Sequence, residues 1–132
     1  MDIKHRMIVF DAADIETEST FWAGFLDGTV DRWSDRWHAI WVDGGWALGV
    51  QHAPDHVPPD WPNGTPQQIH LDLYFEGTEA HAAAHERALA LGARLLKPAD
   101  DPTAARGVQT YADPAGHPFC LCWLPAPHPP TE

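Results

Sequence analysis

The sequence predicts an α+β fold made of two βαβββ halves. Three observations point to it. The order strand, amphipathic helix, three strands occurs twice, and a proline-rich stretch separates the two occurrences. Short segments also recur in matching order: Ile8-Val9-Phe10-Asp11 against Ile69-His70-Leu71-Asp72, and Asp43-Gly44-Gly45 against Asp113-Pro114-Ala115-Gly116. A duplicated supersecondary unit leaves this kind of trace. At 132 residues the chain has the length of one domain, with a first module over about 3–52, a linker over 53–66 and a second module over about 67–125.

The first strand is read from Arg6 to Asp11, a β-branched and apolar run, with Asp14 as N-cap of the helix that follows. In that helix Ile15, Trp22, Phe25 and Leu26 gather on one face and Gly28 provides a stop. Strands are expected over Thr29 to Ser34, Trp37 to Val42 and Trp46 to Gln51, the last pair joined by the Asp43-Gly44-Gly45 turn. The linker holds five prolines between Ala53 and Pro66 together with Asn63-Gly64, which excludes helix and central strand. The pattern then restarts with a strand from Gln68 to Phe75, an Ala-rich helix from an N-cap at Thr78 to Leu91-Gly92, and strands near Arg94 to Lys97, Gly107 to Ala112 and Pro118 to Trp123. The tail over 126–132 is expected to fray.

Composition narrows the function classes. A net charge of −11 repels polyanions, so no nucleic-acid partner is expected, and anionic membranes are disfavoured as well. No charged-then-apolar leader and no long apolar run is present, so a cytoplasmic protein without a membrane partner is expected. Cys120 and Cys122, two apart in a strand, point the same way and are read as free thiols.

Three segments carry a family resemblance: Phe21-Trp22-Ala23-Gly24-Phe25-Leu26-Asp27-Gly28, Ala88-Leu89-Ala90-Leu91-Gly92-Ala93, and Asp113-Pro114-Ala115-Gly116-His117-Pro118-Phe119. With them the chain resembles the glyoxalase-like branch of the glyoxalase/bleomycin-resistance, or vicinal oxygen chelate, superfamily over nearly its whole length. The resemblance implies two βαβββ modules whose mixed sheets curl around a cavity, commonly in a homodimer. It also implies a divalent metal held from the first and last strands. The positions matching the family's ligands are Met7, Gly49, His70 and Cys120, so only His70 retains a family ligand. Neither Met7 nor Gly49 can supply the hard oxygen ligands of a Mg²⁺ or Mn²⁺ site or the third ligand of a catalytic zinc. A softer set of His70 and Cys120, with Cys122 or His5, remains as the alternative for zinc.

Placing those four positions inward assigns a face to each strand, because side chains two apart share one. The expected ligand-binding residues are Met7, Val9, His38, Ile40, Gln51, His70, Asp72, Val108, Thr110, Cys120 and Cys122, with Asp11 on the same face. The third-strand members His38, Ile40, Val108 and Thr110 are taken from the pseudo-repeat. The opposite parity is almost wholly apolar: Ile8, Phe10, Leu48, Val50, Ile69, Leu71, Leu73, Phe119, Leu121 and Trp123. Trp22, Trp41, Trp46 and Trp123 are expected in the core, whereas Trp33 and Trp61, near a strand end and in the linker, have a rim over the cavity only as the minority alternative.

His70 beside Asp72 forms the candidate catalytic pair, a base with an orienting carboxylate. The bland reading is a hydrogen-bonded pair left from a former metal site. Cys120 is read as a pocket-lining side chain. His81 and His85 share a helix face but lack the intervening Glu of the zinc-protease motif, so a solvated polar face is expected. His117 is expected to hydrogen-bond within its turn. These readings together predict a small-molecule-binding protein, with no cofactor, that sequesters an antibiotic or metabolite. The acidic balance favours a neutral or cationic ligand. The competing reading is a divergent lyase, isomerase or dioxygenase-type enzyme with an atypical metal site at His70 and Cys120.

Overall fold

A computed structural model describes residues 1–125, and the tail expected to fray, 126–132, lies outside them. The chain divides into two compact units with the boundary between Pro58 and Pro59, inside the proline-rich linker. Each unit is a βαβββ module with its own four-stranded mixed sheet.

The first unit contains β1 (Val9–Ala12), α1 (Ile15–Phe25), β2 (Thr29–Ser34), β3 (Trp37–Val42) and β4 (Gly45–His52), in sheet order β1-β4-β3-β2. Asp14 caps α1 as its sequence position predicts: its carboxylate accepts from Thr17 N at 3.1 Å and from Thr17 Oγ1 at 2.7 Å. The helix stop is made by Asp27, which takes the left-handed conformation at φ 57°, one residue before the expected Gly28. Gly28 serves a different purpose. A Cβ there would fall on the carbonyl oxygen of Trp41 and within 2.7 Å of Val42 Cγ2, so a side chain is excluded where the chain leaves α1 for the sheet. The β3–β4 turn places Asp43 and Gly44 at φ 50° and 83°, the paired positive values of a tight two-residue hairpin.

Register within that hairpin corrects the sequence reading. Trp41 pairs with Trp46, but Ile40 pairs with Leu48, so Ala47 is an extra residue in β4. Unbroken pairing from the turn would set His38 opposite Gly49 on the open face. The bulge slides the register by one, and a one-residue slip exchanges the faces of a strand. His38 therefore pairs with Val50 and Ile40 with Leu48, and both are buried on the helix side. The same slip turns Trp37, Trp41 and Trp46 to the open face, so Trp41 and Trp46 are not core residues and Trp41 is 41% exposed. Only Trp22 and Trp123 of the four expected core tryptophans are buried.

The second unit contains β5 (Leu71–Glu76), α2 (Gly77–Leu91), β6 (Arg94–Lys97), β7 (Gly107–Ala112) and β8 (Pro118–Leu124), in sheet order β5-β8-β7-β6. The helix starts from Glu76 through Gly77 at φ 83° rather than from Thr78, and Gly92 ends it at φ 114°. Strand β5 opens at Leu71 and not at Gln68, because its parallel partner begins only at Pro118, after the Asp113–His117 turn. Likewise β1 opens at Val9 rather than Arg6, opposite Gly49, just beyond the bulge that interrupts β4. Leu71, Leu73, Phe75, Phe119, Leu121 and Trp123 share the face that packs under α2.

Each core is built on aromatic contacts and one buried imidazole. Phe10 and Phe21 meet Trp22 edge-on at 5.5 Å and 5.0 Å, above Ile40, Leu48 and Val50. In the second unit Tyr111 stacks on Phe119 at 5.4 Å, and the small Ala84 and Ala88 let α2 approach them. His38 Nδ1 lies 2.8 Å from Ser19 Oγ of α1, while Arg32 holds Glu16 through two bonds of 2.7 Å. His81 and His85 are not the solvated face expected for them. His81 is buried with Nε2 donating to Leu121 O at 3.0 Å, and His85 Nδ1 sits 2.6 Å from the Tyr111 hydroxyl. Both point at the sheet because α2 has too few large apolar residues to cover it.

Two outcomes follow from this packing. Gly28→Ala should destabilise the protein by about 1–3 kcal/mol, the usual cost of overpacking, read as a lower urea midpoint with an unchanged slope. Burial, the largest cause in each case, holds the His38 and His81 imidazoles below their ordinary value of 6.5. A lowered imidazole pKa means that the unfolded chain binds more protons, so this contribution is complete above about pH 6.5 and is lost as the pH falls below it. Unfolding free energy measured between about pH 7 and about pH 5 should drop, and a His38→Gln, His81→Gln double variant should flatten the slope.

Candidate functional site

The second unit gathers the reactive groups. Parallel pairing sets Asp72 opposite Cys120, antiparallel pairing sets Thr110 opposite Cys120, and Val108 stands opposite Cys122. All five lie on the sheet face turned away from α2, with His70 just ahead of β5, so the sequence reading of this unit's face holds. His70 Nε2 lies 3.1 Å from Asp72 Oδ1, and Tyr74 Oη 3.5 Å from Asp72 Oδ2. Cys120 Sγ lies 3.4 Å from Thr110 Oγ1 and is buried, whereas His70 and Asp72 are partly exposed. One ligand atom from each of His70, Asp72 and Cys120 falls within 4.8 Å of the others.

Beside this cluster is a pocket of about 440 Å³, lined among others by Trp61, Gln67, His70, Lys97, Arg106, Val108, Thr110 and Cys120. Gln67 is among the lining residues, and its Oε1 is buried without a hydrogen-bond partner among the described residues. Trp61 thus occupies the rim role its linker position suggested. Gln67, Lys97 and Arg106 escaped sequence reasoning. A register break between Leu95 and Lys97 sets Lys97 opposite Thr110, while Arg106 comes from a loop whose path leaves no periodic signal. Asp100 and Asp101 also line the pocket, and Asp101 is engaged by Thr103 at 2.6 Å and 2.9 Å.

The electrostatics quiet the thiols. Burial first, then the charges of Asp72 and Cys120, push the Cys122 thiol up to about 11. Cys120 is raised by burial too, partly offset by its Thr110 hydrogen bond, with Asp72 adding to the rise. The carboxylate of Asp72 is likewise the main cause of an upward shift at Tyr74. Both cysteines are free, as expected, and both are protonated near neutrality. The arrangement therefore offers an oriented imidazole at His70, a carboxylate acceptor at Asp72 and neutral thiols, rather than an activated nucleophile.

The remaining predicted residues belong to the first unit. Val9 and Gln51 lie on its open face, Val9 against Gly49 and Gln51 against Asp11 and Trp37. Met7 precedes β1 and is half-buried. His38 and Ile40 are removed from that face by the bulge at Ala47 and pack under α1. His5 meets the ring of Trp46 edge-on at 4.8 Å. His117 keeps the structural role expected of it, its backbone N donating to Asp113 Oδ1 at 2.8 Å and its Nδ1 lying 2.9 Å from Oδ2.

A family model described as a glyoxalase-like domain matches residues 7–122. Among solved structures, a glyoxalase-related enzyme from Fulvimarina pelagi aligns with a TM-score of 0.68 at 19% identity, covering 92% of this chain and 88% of that one. The fosfomycin resistance protein FosX from Listeria monocytogenes gives 0.68 at 15% identity, with 93% and 94% covered. A glyoxalase/bleomycin resistance protein/dioxygenase family enzyme from Burkholderia phytofirmans PsJN gives 0.66 at 15%, with 89% and 96% covered. A search of curated proteins found no match. At such identities the likeness is one of fold, and function must be argued from the site.

Alkylation tests the electrostatics. At neutral pH iodoacetamide should modify the folded protein at least about tenfold more slowly than the urea-unfolded chain. Asp72→Asn, which removes the nearby charge, should speed the reaction at Cys122, read by mass spectrometry of the digested protein.

Proposed function

The chain belongs to the glyoxalase-like branch of the vicinal oxygen chelate superfamily, and from that premise we propose that it captures a small organic molecule in the pocket beside His70 and Cys120. The observation that carries this reading is the pocket: about 440 Å³ lies within the range of roughly 300–1,000 Å³ that small-molecule sites occupy. Lys97 and Arg106 share the lining with Asp100 and Asp101, two charges of each sign. The charged lining of the pocket therefore balances, unlike the −11 of the whole chain, and a neutral or zwitterionic ligand suits it. Sequestration of an antibiotic or metabolite, by a cytoplasmic homodimer and without a metal, is the form of this function we propose. Structural neighbours that are fosfomycin resistance proteins lend the antibiotic reading support.

A second reading rests on the His70, Asp72 and Cys120 cluster. Imidazole, carboxylate and thiol together suit a borderline ion such as zinc with one coordination position open, and fit Mg²⁺ poorly. Such an ion would supply Lewis acidity toward a ligand oxygen. Binding would have to displace the Cys120 proton, which burial holds in place.

Elemental analysis of protein purified without chelator separates the two. Metal well below one equivalent, with melting-temperature shifts across a panel of neutral and zwitterionic antibiotics and metabolites that are lost in Arg106→Ala, is the outcome expected of capture. Near-stoichiometric zinc that disappears in His70→Ala would replace it with the metal reading.

A further inference from the structure

The loop over 98–106, between β6 and β7, supplies one wall of the pocket through Pro98, Ala99, Asp100, Asp101, Ala104 and Arg106. Two side chains of the sheet hold its backbone. Gln109 Oε1 accepts from Ala99 N at 3.0 Å, and Trp123 Nε1 donates to Ala104 O at 2.9 Å. The Trp123 anchor is fixed in sense, because an indole N–H can only donate. Its reach depends on Gly107, where a Cβ would fall on the Trp123 ring. The Gln109 anchor is instead the end of a chain of hydrogen bonds: Gln109 Nε2 lies 2.9 Å from Tyr111 Oη, and Tyr111 Oη lies 2.6 Å from His85 Nδ1 on α2.

The proton order along this chain follows from one fixed point. The Ala99 amide can only donate, so the Gln109 atom that meets it is the carbonyl oxygen, and the NH₂ group faces Tyr111. Tyr111 Oη then accepts from Gln109 and gives its own proton to His85 Nδ1, which is the bare nitrogen of a neutral ring. Burial, the largest cause, raises the Tyr111 hydroxyl above its ordinary value, against the lowering effect of the Gln109 bond, so Tyr111 keeps the proton it donates. A proton on Nδ1 breaks this order. The proton of the fully buried Tyr111 loses its acceptor, and the Gln109 amide, 3.4 Å from Nδ1, meets a second donor. The half-buried Gln109 relieves the conflict by rotating its amide, which releases Ala99 N.

His85 is itself half-buried, within reach of solvent protons. On its own helix it has His81 one turn away and Glu86, whose charge acts on Tyr111. Among the described residues, the strands beneath α2 turn no charge toward it. Strands β5 and β8 present Leu73, Phe75, Leu121 and Trp123, and β6 presents Leu95 opposite Tyr111. Arg94 and Lys97, opposite Ala112 and Thr110, turn to the open face.

We infer that His85, Tyr111 and Gln109 position the pocket loop as a relay that holds Ala99 while His85 is neutral and lets it go when His85 gains a proton. The consequence for capture rests on the function proposed above: a loosened loop no longer fixes Asp100 and Asp101 in the wall, so the pocket holds its ligand less tightly as the pH falls through the range where imidazoles charge, from about 8 to about 5.

Amide hydrogen exchange, read residue by residue by NMR and divided by the unstructured rate at each pH, tests the relay without any ligand. From about pH 7.5 to about pH 5.5 the protection of the Ala99 amide should fall about three- to tenfold, the worth of one hydrogen bond. Tyr111→Phe keeps the stack on Phe119 and breaks the chain, so Ala99 protection should be low at both pH values. His85→Gln keeps an acceptor that does not titrate, so protection should no longer depend on pH. Protected amides along β8 show that each variant is folded. No fall in the wild type, a Tyr111→Phe loop as protected as the wild type near neutrality, or an equal pH dependence in His85→Gln would overturn the proposal. With no ligand present, a failure of capture in the melting shifts leaves these outcomes readable, and a loop indifferent to pH leaves capture standing.

Discussion

Parallel pairing of the first strand of each unit with its last is the constraint on which everything else rests. Two strands that run the same way need a crossover, and here α1 and α2, each followed by two strands, supply it. The pairing puts β4 and β8 inside their sheets, and along β8 the side chains alternate strictly between helix and open face. Phe119, Leu121 and Trp123 go under α2, and Cys120 and Cys122 emerge on the other side beside Asp72 and Tyr74. The chemical character of the second unit thus comes from which residue stands opposite which across one strand pair.

Electrostatics and burial then decide what those residues can do. Asp72 is central: it orients His70 at 3.1 Å, and its charge raises Tyr74 and adds to the rise at both thiols. A carboxylate that suppresses ionisation nearby suits recognition better than nucleophilic attack, since a neutral thiol is a small apolar wall. The adjoining pocket adds the polar side chains of Lys97, Arg106 and Gln67. The two units use different devices, a pocket lined by charges of both signs in one and an indole-rich sheet face in the other.

The single extra residue at Ala47 accounts for that second device. A bulge costs little in an antiparallel ladder, yet it exchanges the two faces of a strand. In the first unit it carries His38 and Ile40 into the core and brings Trp37, Trp41 and Trp46 out. The buried His38 is accommodated by Ser19 at 2.8 Å, with Glu16 held nearby by Arg32.

Read alone, the chain yields the element order, the capped first helix, the linker, the two-residue hairpin and the family, because each depends on local preference or on short motifs. It also yields the face of the second sheet that carries Asp72, Cys120 and Cys122, with His70 just ahead of it, because alternation along β5, β7 and β8 is unbroken. Periodicity could not locate the bulge: Ala47 has no distinguishing chemistry, and its effect exists only in the pairing of β4 with β3. The inward turn of His81 and His85, and the gathering of Lys97, Arg106 and Gln67 around one pocket, were settled by tertiary structure for a related reason. They join residues far apart in the chain, and packing against a sheet overrides the polarity of a side chain when a hydrogen-bond partner waits beneath it.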